Sequence, residues 1–68
     1  MLNANKLKGK IVERGMTVSK LASLVGMDPG TLYRKINETT SFTINEVDKI
    51  TSELNLSTSE AMDIFFSH

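Results

Sequence analysis

The sequence predicts an all-α fold of five short helices around one small core, in a single domain that covers residues 1–68. Apolar residues recur at i, i+3 and i+4 in separate stretches, which is the spacing that lines one face of a helix. These stretches are bounded by residues that cap a helix N-terminus or end a helix. No stretch shows sustained period-two alternation, and no hairpin dipeptide joins two apolar runs. The pattern therefore favours helices throughout.

The first predicted helix covers residues 3–14 and is closed by Gly15. Leu7 and Ile11 lie four residues apart and define its inward stripe, which Val12 widens. Three lysines lie largely off this stripe, where they form a solvated face or reach phosphate groups: Lys6, Lys8 and Lys10.

The second and third helices are predicted to meet in a sharp bend. Thr17 is a good N-cap for the second helix, and Gly26 ends it, because glycine adopts the left-handed backbone of a helix C-terminus without steric cost. Asp28 then caps the third helix, with Pro29 at its first position. Because one helix ends at Gly26 and the next begins at Asp28, the sequence predicts a helix-turn-helix. The inward positions of the second helix are Val18, Leu21, Ala22 and Val25.

The outer face of the third helix is suited to the major groove of DNA. Leu32 and Ile36 point inward, so Gly30 and Arg34 lie nearly opposite, with other polar side chains beside them. Glycine permits close approach of the backbone, and arginine can bond two acceptors of a guanine at once. The alternative is an ordinary solvated helix face. The flanking residues are Thr31, Tyr33, Lys35 and Asn37.

Two Thr/Ser-x-x-Glu capping boxes predict the last two helices. Thr43 and Glu46 begin the fourth helix, which follows a polar loop at residues 38–41 and ends near Asn55. The loop hydroxyls either touch the DNA backbone or are ordinary loop residues. The fourth helix has an apolar stripe and two residues that anchor its start in the core: Val47, Ile50 and Leu54, with Phe42 and Ile44.

The fifth predicted helix starts at the capping box of Ser57 and Glu60 and runs from Thr58 to about Phe66. Phe65 and Phe66 point about 100° apart on a helix, so one core contact hardly buries both. Either one packs inward while the other forms a self-association surface, or both tuck under the edge of the domain.

Composition excludes several classes of protein. The chain has no cysteine, so it has no disulfide or thiolate metal site, which suits a cytoplasmic protein. No apolar run approaches the ~20 residues that span a bilayer, and residues 1–10 lack the apolar stretch of a signal peptide. The only histidine, His68, is terminal and is expected to be a frayed end. With no base beside a serine and no phosphate-binding loop, we expect neither an enzyme nor a cofactor.

The charges are divided between the two halves of the chain. The formal net charge is zero, but residues 1–37 hold seven basic and two acidic residues, a net charge of +5. Residues 38–68 hold one basic and six acidic residues, a net charge of −5. Such a molecule can present its basic half to phosphate and keep its acidic half away. The alternative is chance segregation in a short chain.

Residues 17–37 resemble the helix-turn-helix of the lambda-repressor/Cro-like (XRE-type) family of small phage and bacterial transcription regulators. With the helices that follow, the resemblance covers nearly the whole chain. It departs at Val18, where the family often has a polar residue that contacts phosphate, and at Gly30, where the family has a longer base-reading side chain. The matching residues are Thr17, Leu21-Ala22, Val25-Gly26 and Thr31-Leu32, followed by a basic turn.

The resemblance implies sequence-specific binding of double-stranded DNA by a repressor-like or Cro-like regulator, with residues 29–37 in the major groove. A homodimer on a palindromic operator is the expected assembly, with no small-molecule ligand and no membrane. The rival interpretation is a protein-interaction module, antirepressor-like or antitoxin-like, that has this fold without binding DNA. The expected base-reading residues are Arg34, Tyr33, Gly30, Pro29 and Met27. The expected DNA-backbone contacts are Thr17, Ser19, Lys20, Thr31, Lys35 and Asn37.

Overall fold

The computed structural model describes residues 1–67 and confirms the all-α prediction, with five helices over that range. The helix-turn-helix is formed by the second and third helices, as predicted. The terminal His68, expected to be a frayed end, lies outside the described residues. The helices are α1 (Ala4–Glu13), α2 (Val18–Val25), α3 (Pro29–Asn37), α4 (Ile44–Glu53) and α5 (Thr58–Phe65).

Each helix begins at a side chain that accepts a hydrogen bond from the backbone N–H three residues later, which satisfies one of the donors left free in the first turn. The predicted capping boxes of α4 and α5 are both complete. In each box the glutamate carboxylate accepts from the N–H of the cap residue at 2.9 Å. The five N-caps are Asn3, Thr17, Asp28, Thr43 and Ser57.

The first four helices end in the same way, with a residue in the left-handed backbone conformation. Gly15 and Gly26 serve α1 and α2, and Asn55 serves α4. After α3 the left-handed residue is Thr39, at φ 50°, which follows the C-cap Glu38. This conformation costs roughly 1–2 kcal/mol in a residue with a Cβ, and a β-branched side chain is the least suited to it. The chain therefore carries local strain where α3 ends.

Replacing Thr39 with glycine is expected to raise the free energy of unfolding by roughly 0.5–1 kcal/mol, because relief of the strain exceeds the added entropy of the unfolded chain. Urea unfolding followed by circular dichroism measures the change. Thr40→Gly is the matched control, since Thr40 is not in the left-handed region. Equal effects of the two changes would show that the backbone of Thr39 is unstrained.

The core is formed by one inward residue stripe from each helix. The positions predicted to face inward on α2 and α3 are confirmed, since Leu21, Ala22 and Leu32 are fully buried. The structure adds Leu2 and Leu56, which are buried although they lie outside the helices and so carry no helical periodicity. The largest fully buried side chains are Leu7, Ile11, Leu21, Leu32, Ile36, Ile50, Leu54 and Ile64.

Two apolar residues predicted to be in the core are exposed. Val12 was expected to widen the stripe of α1 and is 73% exposed, because it lies about 140° around the helix from Leu7. Ile44 was expected to anchor the start of α4 and is 86% exposed, because it lies about 120° from the inward-facing Ile50. Phe42, the other predicted anchor, is half-buried and packs edge-on against Phe65 with the ring centroids 5.5 Å apart.

Polar contacts hold α1 against α5. The Asn3 N–H donates to the Ile64 carbonyl at 2.7 Å. Lys6 pairs with Asp63 at 3.0 Å, and Lys10 pairs with Glu60. The lysines of α1 therefore do not form one solvated face: two of them hold α5, and only Lys8 is exposed and without an acidic partner in the part of the chain that the structure describes.

The contact of Glu60 with Lys10 predicts a pH dependence of stability. Hydrogen bonds from Lys10 and from the backbone N–H of Ser57 lower the pKa of Glu60 to about 2, from an ordinary value of 4.5. Because this pKa is lower in the folded state, the stabilisation from Glu60 is complete above pH 4.5 and is lost as the pH falls toward 2.

In the Glu60→Gln variant, the melting temperature is expected to fall less steeply between pH 4.5 and pH 2 than in the wild type. Glutamine can still accept the capping-box hydrogen bond of Ser57, so the variant removes the charge and keeps the cap. Thermal unfolding by circular dichroism across this pH range measures the slope. Asp48→Asn is the control, because it removes an exposed carboxylate that has no ion-pair partner within residues 1–67 and leaves the contact of Glu60 with Lys10 in place. A Glu60→Gln slope as steep as the wild-type slope would contradict the prediction.

Candidate nucleic-acid interface

The bend between α2 and α3 is fixed from both sides. Gly26 has φ 73°, and the Met27 N–H donates to the Ala22 carbonyl at 2.9 Å. The carboxylate of Asp28 accepts from the Thr31 N–H at 3.2 Å. Ala22 is fully buried, as expected where a small side chain lets two helices approach closely. The turn therefore holds α3 in a fixed orientation, with its inward side chains Leu32 and Ile36 in the core.

The outer face of α3, which we define as Gly30, Tyr33, Arg34 and Asn37, is exposed to solvent. Tyr33 is 59% exposed. The Arg34 side chain leans toward the helix N-terminus, as helical side chains do, and its guanidinium lies 3.5 Å from the Thr31 hydroxyl. An added Cβ at Gly30 would lie 3.9 Å from Arg34 Nη1. The guanidinium therefore lies over the first turns of α3.

Glycine at position 30 leaves room for two nearby side chains, those of Asp28 and Arg34. The same Cβ would lie 3.1 Å from the Oδ2 atom of Asp28, closer than most Cβ contacts. That oxygen is the one that caps the helix by accepting from Thr31. Because Gly30 has no side chain, the capping carboxylate of Asp28 and the guanidinium of Arg34 both fit at the start of α3.

The other residues expected at the interface fall into two groups. Pro29 is exposed next to the outer face of α3, and Thr17, Ser19 and Lys20 are exposed at the start of α2. Met27 is half-buried and packs against the core, which reduces the surface it can offer to a base. Val18, where the family often has a polar residue, also packs against the core.

A shallow groove of about 150 Å³ lies between the start of α2 and the C-terminal end of α3. Its polar groups come from Lys8, Tyr33 and Asn37, and its apolar floor comes from Val18 and Ile36. One cation, one amide and one phenol around a concave surface are groups that contact phosphate oxygens. The sequence left open whether Lys6, Lys8 and Lys10 reach phosphate, and of these three only Lys8 lines the groove.

Lys35 is placed differently from Arg34, the other basic residue of α3. Its ammonium lies 3.0 Å from Glu46 Oε1 and 3.2 Å from the Ser41 carbonyl oxygen. It also lies 5.4 Å from the centroid of the Phe42 ring, which is within the range of a cation–π interaction. The side chain is only 22% exposed. Its partners are therefore residues that follow α3 in the chain.

The contact with Lys35 also changes the acidity of Glu46. Partial burial raises the pKa of Glu46, but hydrogen bonds from the Thr43 backbone N–H and from Lys35 outweigh it. The pKa therefore lies below its ordinary value, and Glu46 remains charged at neutral pH beside the ammonium of Lys35.

The two oppositely charged halves of the chain are not kept apart. The basic half pairs with the acidic half through Lys6–Asp63, Lys10–Glu60 and Lys35–Glu46, because α1 packs on α5 and α3 ends beside the start of α4. In addition, Arg14 donates to the Leu54 carbonyl at 2.7 Å. Three basic side chains of residues 1–37 have no acidic partner within the described range 1–67: Lys8, Lys20 and Arg34.

Two kinds of feature are absent from residues 1–67, a cluster of metal-ligating side chains and a membrane-spanning helix. No group of three or more histidine, cysteine, aspartate or glutamate side chains in that range could hold a metal ion. Among the same residues, no helix has the length and apolar character needed to cross a membrane.

The model of a family described as the Cro/C1-type HTH DNA-binding domain matches residues 6–66, which include all of α2 to α5 and most of α1. No curated protein and no solved structure matches the chain.

Proposed function

Because the chain belongs to the Cro/C1-type helix-turn-helix DNA-binding family, which is a family of DNA-binding regulators and not of enzymes, we propose that it binds double-stranded DNA sequence-specifically and represses transcription. The resemblance seen in the sequence is thus confirmed at the level of the family. The observation that carries the proposal is the outer face of α3, where an exposed Arg34 lies over Gly30 on a helix fixed by its turn.

In this proposal, α3 enters the major groove with its first turns toward the bases. Arg34 donates to the O6 and N7 atoms of a guanine, and Gly30 and Pro29 let the backbone approach the bases. Tyr33 contacts a thymine methyl group or a phosphate, and Met27 adds a smaller apolar contact. The proposed contacts with the DNA backbone are Thr17, Ser19, Lys20, Thr31 and Asn37, together with Lys8 from the groove beside α3.

We propose that two copies bind a palindromic site, since one recognition helix reads only a few base pairs. Phe66 lines one surface depression with Ile44 and another with Met62. These three exposed apolar residues define the α4–α5 patch, which is the surface proposed for self-association. Phe65 was the other residue expected there, but it is only 7% exposed and packs on Phe42. The self-association proposal therefore rests on Phe66, which is 50% exposed.

Replacing Phe66 with serine is expected to lower the affinity for a palindromic duplex about tenfold, since loss of apolar contact weakens pairing of the two copies. Binding to a duplex that carries a single half-site should not change. Fluorescence anisotropy on the two duplexes measures the difference. Val12→Ser is the control, because Val12 is also apolar and exposed but lies on α1. A similar loss of affinity on both duplexes would place Phe66 at the DNA instead.

The test of the proposed function is selection of duplexes from a random pool, followed by sequencing, with the Arg34→Ala variant in parallel. Enrichment of a palindromic motif with a guanine that the variant no longer requires would support both the function and the role of Arg34. Failure of any motif to enrich, with only weak salt-sensitive binding, would favour the rival function, a protein-interaction module that uses the α4–α5 patch.

A further inference from the structure

We infer that Lys35 acts in DNA binding as a positioning residue, which fixes residues 39–42 through Glu46 and does not itself contact a phosphate. The inference rests on the proposed function, and it replaces the direct DNA-backbone contact that the sequence suggests for Lys35. It also predicts that Glu46 is needed for DNA binding, although its negative charge would by itself repel the phosphates.

Two of the three donors of Lys35 are already engaged. An ammonium has three N–H groups, and two of them have partners in the Glu46 carboxylate and the Ser41 carbonyl oxygen. The ring of Phe42 lies beside the ammonium. Because the side chains of Lys35 and Glu46 are only 22% and 24% exposed, the pair is partly desolvated and less screened by salt than a surface pair. A phosphate would therefore compete with the Glu46 carboxylate for the ammonium of Lys35.

One oxygen atom of Glu46 joins three parts of the chain. Oε1 accepts from the Thr43 backbone N–H at 2.9 Å, which completes the capping box of α4. The same atom accepts from Lys35 at 3.0 Å. The C-terminal part of α3, the loop and the start of α4 therefore meet at this carboxylate. Lys35 also donates directly to the loop at Ser41. The Thr40 N–H donates to the Lys35 carbonyl and ties the first part of the loop to α3 by backbone alone. Loss of the Lys35 or Glu46 side chain therefore weakens the attachment of the rest of the loop to α3.

The loop offers suitable groups to a DNA backbone. Thr39, Thr40 and Ser41 are all exposed, and they follow Asn37, the last residue of the exposed face of α3. Hydroxyl groups bond phosphate oxygens without carrying a charge. A loop that is already ordered loses less conformational entropy on binding than one that must be ordered. The contacts of Lys35 with Glu46 and Ser41 therefore favour DNA binding by holding the loop in order before the DNA arrives.

The experiment compares Lys35→Met, Glu46→Gln and the double variant on a duplex selected from the random pool, over a series of salt concentrations. Glutamine can keep the capping box, so Glu46→Gln removes mainly the ion pair. Each single variant is expected to bind about fivefold to tenfold more weakly, and the double variant no more weakly than either. The slope of log affinity against log salt should stay at the wild-type value.

Lys20→Met is the matched comparison, because Lys20 is exposed and has no acidic partner among the residues described. As a proposed direct phosphate contact, its removal should reduce that slope by about 1. Amide hydrogen exchange in the free protein adds a readout without DNA: amides of residues 39–43 should exchange faster in Lys35→Met and Glu46→Gln, with the core amides unchanged.

The inference is overturned if Glu46→Gln binds as tightly as the wild type or more tightly, or if Lys35→Met lowers the salt slope as Lys20→Met does. Unchanged exchange in residues 39–43 would also overturn it. These outcomes leave the proposed function intact. The proposed function itself would be refuted if the wild-type chain did not bind DNA. Thermal unfolding of each variant confirms that it is folded before its affinity is compared.

Discussion

The Arg34→Ala variant is expected to bind its preferred duplex about 1–3 kcal/mol more weakly and to tolerate any base at one position of each half-site. The guanidinium is exposed and has no acidic partner in the part of the chain that the structure describes. It is therefore free to donate to both acceptors of a guanine in the major groove. Competition binding with duplexes that carry each base at that position measures the preference.

Arg34→Lys is the control for this prediction, because it keeps the charge but loses the planar pair of donors. We expect it to bind random duplexes nearly as well as the wild type and to lose most of the guanine preference. If Arg34→Ala instead weakened binding equally on the selected and the random duplexes, the guanidinium would be a phosphate contact, and base reading would fall to Tyr33 and the backbone.

The second large effect concerns stability, and we expect Ile50→Ala to remove most of the free energy of unfolding. Ile50 is fully buried on α4, and truncation of a buried isoleucine to alanine costs about 2–5 kcal/mol. A core of this size rarely contributes more than about 3–5 kcal/mol net. Circular dichroism and urea unfolding would show loss of helix and of the cooperative transition.

The same helix supplies a matched control in Ile44, which is 86% exposed. Ile44→Ala removes the same atoms from the surface, so the free energy of unfolding should change by less than about 0.5 kcal/mol. If Ile44→Ala were as damaging as Ile50→Ala, Ile44 would have to be covered by other atoms, for example by a second copy of the chain on the α4–α5 patch.

The features that could be predicted from the sequence are those that depend on neighbouring residues. The capping boxes join residues three apart, so Thr43 and Glu46 indicate the start of α4 without knowledge of the fold. The turn at Gly26 and Asp28 is local in the same way. The family resemblance used the same segment, and for this reason the fold and the position of the helix-turn-helix were both predicted correctly.

The features that could not be predicted depend on which helices meet. Arg14 donates to the carbonyl of Leu54, forty residues further along the chain, and no spacing rule links the two. Lys35 looks like a phosphate contact from its place on α3, but its partner Glu46 belongs to the next helix. Ile44 fits an apolar pattern at the start of α4, yet only the packing of the whole chain shows that nothing within residues 1–67 covers it.

The few unpaired cations near α2 and α3 have a consequence for how such a protein would act in a cell. The affinity of a protein for DNA of arbitrary sequence increases with the number of phosphates that its basic side chains neutralise. Residues 1–37 offer three such side chains within the described range, Lys8, Lys20 and Arg34. A chromosome presents on the order of 10⁶–10⁹ competing sites. Weak affinity for each of these sites would leave much of the protein free in solution. The occupancy of its target site would then follow small changes in the number of protein molecules in the cell.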